Sequence, residues 1–190
     1  MTKPLTNIER ARYETIWAVP EYNQISPGEG NVSLFGQIVN PRAGETLIDF
    51  GCGKGLGGQR LKQEYGLDVT YLDLVQVGNC PEPHIQQSLW EPIQPNSLGT
   101  KRWNYGYCSD VMEHIPKEFT MLAAKNMLDV CDYVFFVPAF YQETHGPRYM
   151  NEPLHLTVEC FVWWRNRFME LGTLLDGRDL LTRGVFYVKS

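Results

Sequence analysis

Apolar positions along the chain switch between helical and strand spacing from end to end, with no internal repeat and no low-complexity stretch. Tyr13, Ile16 and Trp17 share one helical face, and Thr6 and Glu9 have capping-box spacing, which predicts a first helix to about Val19, ended by Pro20. Residues 24–30 form a turn-rich loop, after which Val32, Phe35 and Val39 mark a short helix that stops before Pro41. Leu47, Ile48 and Phe50 predict a buried strand, and a glycine-dense turn over 51–58 leads into a helix carried by Leu61 and Tyr65. Further strands are predicted over 69–74, 85–90, 103–108 and 133–137, with a helix on Phe119, Leu122, Ala123 and Val130 before the last of them. The nineteen residues 138–156 carry little periodicity, and a loop of that length inside a compact domain is usually functional, so they are read as a lid or substrate wall. Thr157 is placed to cap a helix whose apolar face is Phe161, Trp164, Phe168 and Leu171, with Gly172 as its stop and a last strand over 185–188.

Alternating helices and strands imply a parallel sheet flanked by helices, hence the α/β class. At 190 residues, 43% hydrophobic and 21% charged, the chain has the size and composition of one domain over 1–190, with residues 1–44 as a helical cap. A net charge of -5 argues against a general polyanion binder, so a small-molecule partner is expected ahead of nucleic acid. Five scattered cysteines with no C-x-x-C pair argue against both a disulfide framework and a thiolate zinc site, and read as reduced thiols. No apolar run approaches a membrane span and residues 1–20 lack a signal core, so a cytoplasmic protein is expected.

The segment Asp49-Phe50-Gly51-Cys52-Gly53-Lys54-Gly55 follows a strand and opens a helix, where missing Cβ atoms let a ligand approach backbone N–H groups. Asp73, at the end of the next strand, stands where an acid in this architecture accepts both ribose hydroxyls. A nucleoside-bearing cofactor follows, but its class stays open, because Gly53, Gly55 and Gly58 also satisfy the dinucleotide pattern G-x-G-x-x-G. Cys52, in the field of a helix N-terminus, is read as a packing residue and not as a nucleophile.

The arrangement D-x-G-C-G-x-G resembles the first motif of the class I S-adenosylmethionine-dependent methyltransferases. Cys108-Ser109-Asp110-Val111-Met112-Glu113-His114-Ile115-Pro116 is similar to the C-S-x-V-L-E-H-I stretch of the same superfamily, and Ser88, Leu89 and Trp90 fall where such enzymes hold the adenine. Leu154-His155-Leu156-Thr157 followed by Trp163-Trp164 is similar to a tail of small stand-alone bacterial and phage-type methyltransferases. The resemblance implies a Rossmann-like three-layer sandwich with a seven-stranded, mostly parallel sheet, one antiparallel strand, and a final helix and hairpin. It implies S-adenosyl-L-methionine as cofactor, held by Asp49, Gly51, Cys52, Gly53, Gly55, Asp73, Leu74, Ser88, Leu89, Cys108 and Ser109.

His114 and His155 are the candidate bases, since imidazole titrates near neutrality, and Glu113 is the neighbouring candidate carboxylate. Asp110, Glu113 and His114 with His145 or His155 offer metal-type donors, similar to the E-x-x-E-H set of some RNA 2'-O-methyltransferases, but the shorter Asp110 departs from that set and no metal is assigned. Most of the Phe161, Trp163, Trp164 and Phe168 cluster should be core with one tryptophan facing elsewhere, and Arg148, Arg165, Arg167, Arg178 and Arg183 read as solvated surface. The expected function is methyl transfer to a small molecule or nucleotide. Its rivals are a cofactor- or nucleotide-binding protein that transfers nothing, a metal-assisted RNA 2'-O-methyltransferase and a nicotinamide-dependent reductase.

Overall fold

The apolar segments fold as strands β1 (Thr46–Phe50), β2 (Asp68–Asp73), β3 (His84–Gln86), β4 (Trp103–Ser109), β5 (Cys131–Val137), β6 (Thr173–Asp179) and β7 (Gly184–Lys189) in a computed structural model that describes residues 3–24, 26–94 and 102–190. They form one sheet in the order β3-β2-β1-β4-β5-β7-β6, in which β7 runs antiparallel to both its neighbours and every other pair is parallel. This is the seven-stranded sheet with a single reversed strand expected from the sequence.

Helices α1 (Lys3–Trp17), α2 (Pro20–Asn23), α3 (Val32–Val39), α4 (Leu56–Tyr65), α5 (Lys117–Val130), α6 (His145–Met150) and α7 (Phe161–Leu171) complete the chain. Strand side chains alternate faces, so Ile48, Phe50, Leu72, Phe136 and Phe186 pack with α5 and α7, while Leu47, Val69, Tyr71, Tyr107 and Phe135 pack with α3 and α4. The sheet is therefore buried on both faces between two helical layers. Trp164 is fully buried, whereas Trp163 is half-buried under the cations of Lys117 and Arg167, which divides the two tryptophans as the helical spacing requires.

Several expected boundaries move. Thr6 does not cap α1, which begins at Lys3; its hydroxyl donates to Glu91 Oε1 at 3.2 Å and accepts from Trp90 Nε1 at 3.1 Å. The helix ends at Trp17, and Pro20, tolerated at a first helical position, opens α2. The 24–30 loop contains a 3-10 turn, Pro27–Asn31, while Ile25, like residues 1 and 2 of the N-terminal segment, lies outside the described residues. Strand β3 is three residues long, because beyond Gln86 the chain turns away toward Pro92 and leaves Ser88, Leu89 and Trp90 past its end.

Thr157 does not cap α7 either. Cys160 holds that position, and the Thr157 hydroxyl donates to the Ile115 carbonyl at 2.7 Å. The 138–156 segment is internally braced: it contains α6, and the two Glu143 carboxylate oxygens accept the N–H groups of Gly146 and Leu154, each at 2.8 Å.

Candidate functional site

The carboxyl ends of β1, β2 and β4 meet the N-terminus of α4 through a turn that only glycine fits comfortably. Gly51 has φ of +67°, and a Cβ there would lie 2.5 Å from Val111 Cγ2. Gly51 N and Cys52 N donate to the Leu72 carbonyl at 2.8 and 3.1 Å, tying the turn to β2. Two carboxylates, buried Asp49 and half-buried Asp73, hold its ends. Asp49 Oδ2 accepts Gly58 N–H at 2.9 Å, and Asp73 accepts Gly53 N–H on Oδ2 at 2.8 Å and Val75 N–H on Oδ1 at 3.2 Å.

Burial raises the Asp49 carboxyl to about 7, opposed by the Gly58 bond and assisted by the Asp73 charge. Burial raises Asp73 as well, with its backbone bonds pulling the other way. Both acids therefore sit in surroundings that favour a cation nearby.

Two adjoining cavities open beside this turn. The larger, of about 350 Å³, is walled by the glycine turn, Trp17, Tyr22, Ser109, residues 141–145 and His155. The smaller, of about 110 Å³, is lined by Tyr13, Trp17, Asp73, Leu74, Ser88 and Leu89 among others. They share Trp17, Tyr22, Gly51, Asp110 and His114, so the cleft runs continuously along the strand ends.

Most residues singled out in the sequence reach it: Asp49, Gly51, Cys52, Gly53 and Ser109 line the larger part, and Asp73, Leu74, Ser88 and Leu89 the smaller. Cys108 and Gly55 do not. Cys108 is fully buried between Phe50 and Phe136 of the neighbouring strands, and Gly55 backs onto Pro81 and Tyr71. Both support the turn from behind.

Glu113 also misses the cleft. It is fully buried, its Oε1 accepts Ala139 N–H at 2.9 Å, and its backbone carbonyl accepts the N–H groups of Leu156 and Thr157 at 2.7 and 2.9 Å. Burial and the Asp110 charge push its carboxyl well above the ordinary range. Its structural work is to fasten both ends of the 138–156 segment to the 3-10 turn Met112–His114.

His114 and His155 do line the cleft, with ring centroids 4.6 Å apart and planes at 85°. Burial and the adjacent His155 lower His114 to about 4. His155 Nδ1 stands 2.7 Å from the Tyr141 carbonyl, which can only accept, so Nδ1 carries the hydrogen and the neutral ring keeps its lone pair on Nε2. Of the D-x-x-E-H set, Glu113 and His114 join His155 with donor atoms within 4.8 Å of one another, whereas Asp110 and His145 stand outside that group.

Trp17, Tyr22, Tyr141 and Glu143 contribute to the cleft without having been marked by any motif. Trp17 carried only a helix-face signal, and the others lie in segments without periodicity. Acids dominate the lining: Glu9, Asp49, Asp73, Asp110 and Glu143 face one lysine, Lys54, whose Nζ donates to the Asn23 carbonyl. The carboxy-terminal arginines line neither cavity; Arg167 and Arg178 pair with Glu170 and Asp176 on the surface.

In sequence the chain matches no family model and no curated protein. Solved structures resemble it throughout. A 1,6-didemethyltoxoflavin-N1-methyltransferase from Burkholderia thailandensis, crystallised with 1,6-didemethyltoxoflavin and S-adenosylhomocysteine, superposes at a TM-score of 0.73 and 11% identity over 100% of this chain and 90% of that one. The magnesium protoporphyrin IX methyltransferase of Synechocystis PCC 6803, solved with S-adenosylmethionine, gives 0.58 and 17% over 85% of this chain and 79% of that one. The [4+2]-cyclase SpnF gives 0.63 and 15% over 80% of this chain and 60% of that one. At such identities the likeness establishes the fold, which is that of the class I S-adenosylmethionine-dependent methyltransferases.

Proposed function

We propose that this chain is an S-adenosylmethionine-dependent methyltransferase acting on a small-molecule acceptor. The cofactor's adenosine is assigned to the smaller cavity, and its methionine end, with the acceptor, to the larger. The observation that carries this reading is the pair of acids, buried Asp49 and half-buried Asp73, clasping a glycine turn in a cleft with five acids and one engaged lysine. A sulfonium with a protonated amine suits that field, whereas the pyrophosphate of a dinucleotide would meet carboxylates and no free cation among the described residues.

The side chains present fit the group. Asp73 spends one lone pair of each oxygen on Gly53 and Val75 N–H, which leaves acceptor capacity for two ribose hydroxyls. Leu74, Leu89 and Ile115 offer apolar faces for a planar base, and the buried Ser88 hydroxyl, with no partner among the described residues, is available to its polar edge. Asp49, beside the glycine turn, is set to face a primary ammonium.

The bound cofactor would supply an activated, electrophilic methyl group. The chain's own task is alignment, exclusion of water by the 141–145 and 154–155 walls, and removal of a proton from a protic acceptor. His155 is assigned that last role because Tyr141 fixes its tautomer with Nε2 unprotonated. His114, lowered to about 4 by burial, stays neutral and is a poor proton acceptor.

Asp73→Asn keeps one acceptor oxygen for the Gly53 N–H and should lower affinity for S-adenosylhomocysteine roughly 10- to 100-fold, since it weakens charge-assisted bonds to the ribose. Unchanged affinity would count against the assignment. His155→Gln should slow transfer to a protic acceptor by about 10²-fold while leaving cofactor affinity intact. An undiminished rate would remove His155 from the chemistry.

A further inference from the structure

The sequence spacing argues against a thiolate metal site, but the fold brings two thiols and an imidazole together from separate segments. Cys52 belongs to the glycine turn after β1, Cys80 to the connection into β3 and His84 to the first position of β3, 28 and 32 positions further on. The two Sγ atoms stand 3.6 Å apart. A ring nitrogen of His84 completes a triangle whose donor atoms all lie within 4.8 Å of one another. The His84 Nε2 is buried and has no hydrogen-bond partner among the described residues, an unusual state for an imidazole nitrogen.

We propose that Cys52, Cys80 and His84 bind a single Zn²⁺ ion. Tetrahedral zinc with Zn–S bonds of about 2.3 Å sets two sulfurs about 3.8 Å apart, so the observed pair already spans one edge of the coordination polyhedron. Two thiols and an imidazole are a borderline-soft donor set that favours zinc over the oxygen-seeking Mg²⁺ and Ca²⁺. On binding, each thiol releases its proton to solvent, and two thiolates neutralise the dication. Water takes the fourth position. Cys52 and His84 are half-buried, so the site is open to an ion from solvent.

The consequence is mechanical. The ion would join the β1–α4 turn to the β2–β3 connection, stiffening the backbone beside Asp73, whose carboxylate holds Gly53 of the same turn. This inference is independent of methyl transfer, since it rests on three side chains whose arrangement does not depend on the cofactor.

Cobalt is the probe, because a thiolate-bound, tetrahedral Co²⁺ shows near-ultraviolet charge transfer and strong visible bands. Fully reduced, chelator-stripped protein titrated anaerobically should develop both at one equivalent of Co²⁺, and Zn²⁺ should abolish them. Cys80→Ser should weaken the charge-transfer band by half or more, since only the Cys52 thiolate remains. His84→Gln should weaken metal affinity about tenfold or more and serves if the cysteine variant folds poorly. Zinc should raise the melting temperature of the unsubstituted protein and raise that of His84→Gln less at the same zinc concentration.

Absence of charge transfer in folded, reduced protein would overturn the proposal. So would a spectrum that persists unchanged in both variants. Recovery of Cys52 and Cys80 as a disulfide from reductant-treated protein, with no metal uptake, would also overturn it.

Discussion

At the residue scale, the most telling group is Asp49. Its folded-state carboxyl stands at about 7 against 3.8 in free peptide, so between those values the folded chain holds a proton that the unfolded chain has released. The sign follows directly: ligand-free stability is greatest below about 4 from this group and falls as pH rises through 7. A cationic ligand reverses the preference, because it binds the ionised acid. Affinity for S-adenosylmethionine should therefore rise roughly fivefold between pH ~6 and ~7 and level off above, and Asp49→Asn should flatten that rise by the Asp49 share. Calorimetry across this range checks it; an identical pH profile in both proteins would contradict the assignment.

These residues were legible in the sequence because their signals are local. A strand, an acid, alternating glycines and a second acid at the end of the next strand occupy one continuous stretch. The Cys52–Cys80–His84 cluster was not legible, since 28 residues separate its thiols and only the packing of two loops brings them together. Trp17 and Tyr22 were equally hidden. Their place in the cleft depends on how α1 and α2 lie over the strand ends, which no spacing rule encodes.

At the scale of elements, helices and strands with clear periodicity appear where expected, and the errors gather at their caps. Thr6 and Thr157 both satisfy a capping pattern, and in both a long-range bond takes the hydroxyl instead: Glu91 and Trp90 in one case, Ile115 in the other. Tertiary contacts decide between partners that local spacing treats as equal. The short β3 has a related cause, because Pro81, Pro83 and Pro92 confine the segment.

Thr157 also carries a test at this scale. Its hydroxyl, its N–H bond to the Glu113 carbonyl, and Glu113 Oε1 on Ala139 together clamp the 138–156 segment. Thr157→Val preserves shape but leaves the Ile115 carbonyl without that partner, which should cost about 1–3 kcal/mol in urea unfolding. A loss of α7 helicity with no change elsewhere would instead restore the capping role.

At the scale of the whole molecule, the seven-stranded, mostly parallel sheet with one reversed strand was anticipated because the resemblance of two motifs carried it along, while the order β3-β2-β1-β4-β5-β7-β6 comes from the structure. What the fold does not carry is the reaction. The same architecture appears in a [4+2]-cyclase as well as in methyltransferases, so the acids and histidines of the cleft bear the functional argument. The smaller cavity is bounded by residues from α1, β2, the turn after β3 and the stretch after β4, which is why its shape emerges only from the assembled chain.

The central claim is that this cleft binds a cationic adenosyl cofactor. Its most direct test is a calorimetric titration of the protein, freed of any co-purified nucleotide, with S-adenosylmethionine, S-adenosylhomocysteine and NADH in parallel. The account predicts one site with micromolar affinity for the first two and no heat from NADH. Binding of NADH, or no binding of any of the three by fully folded protein, would contradict it.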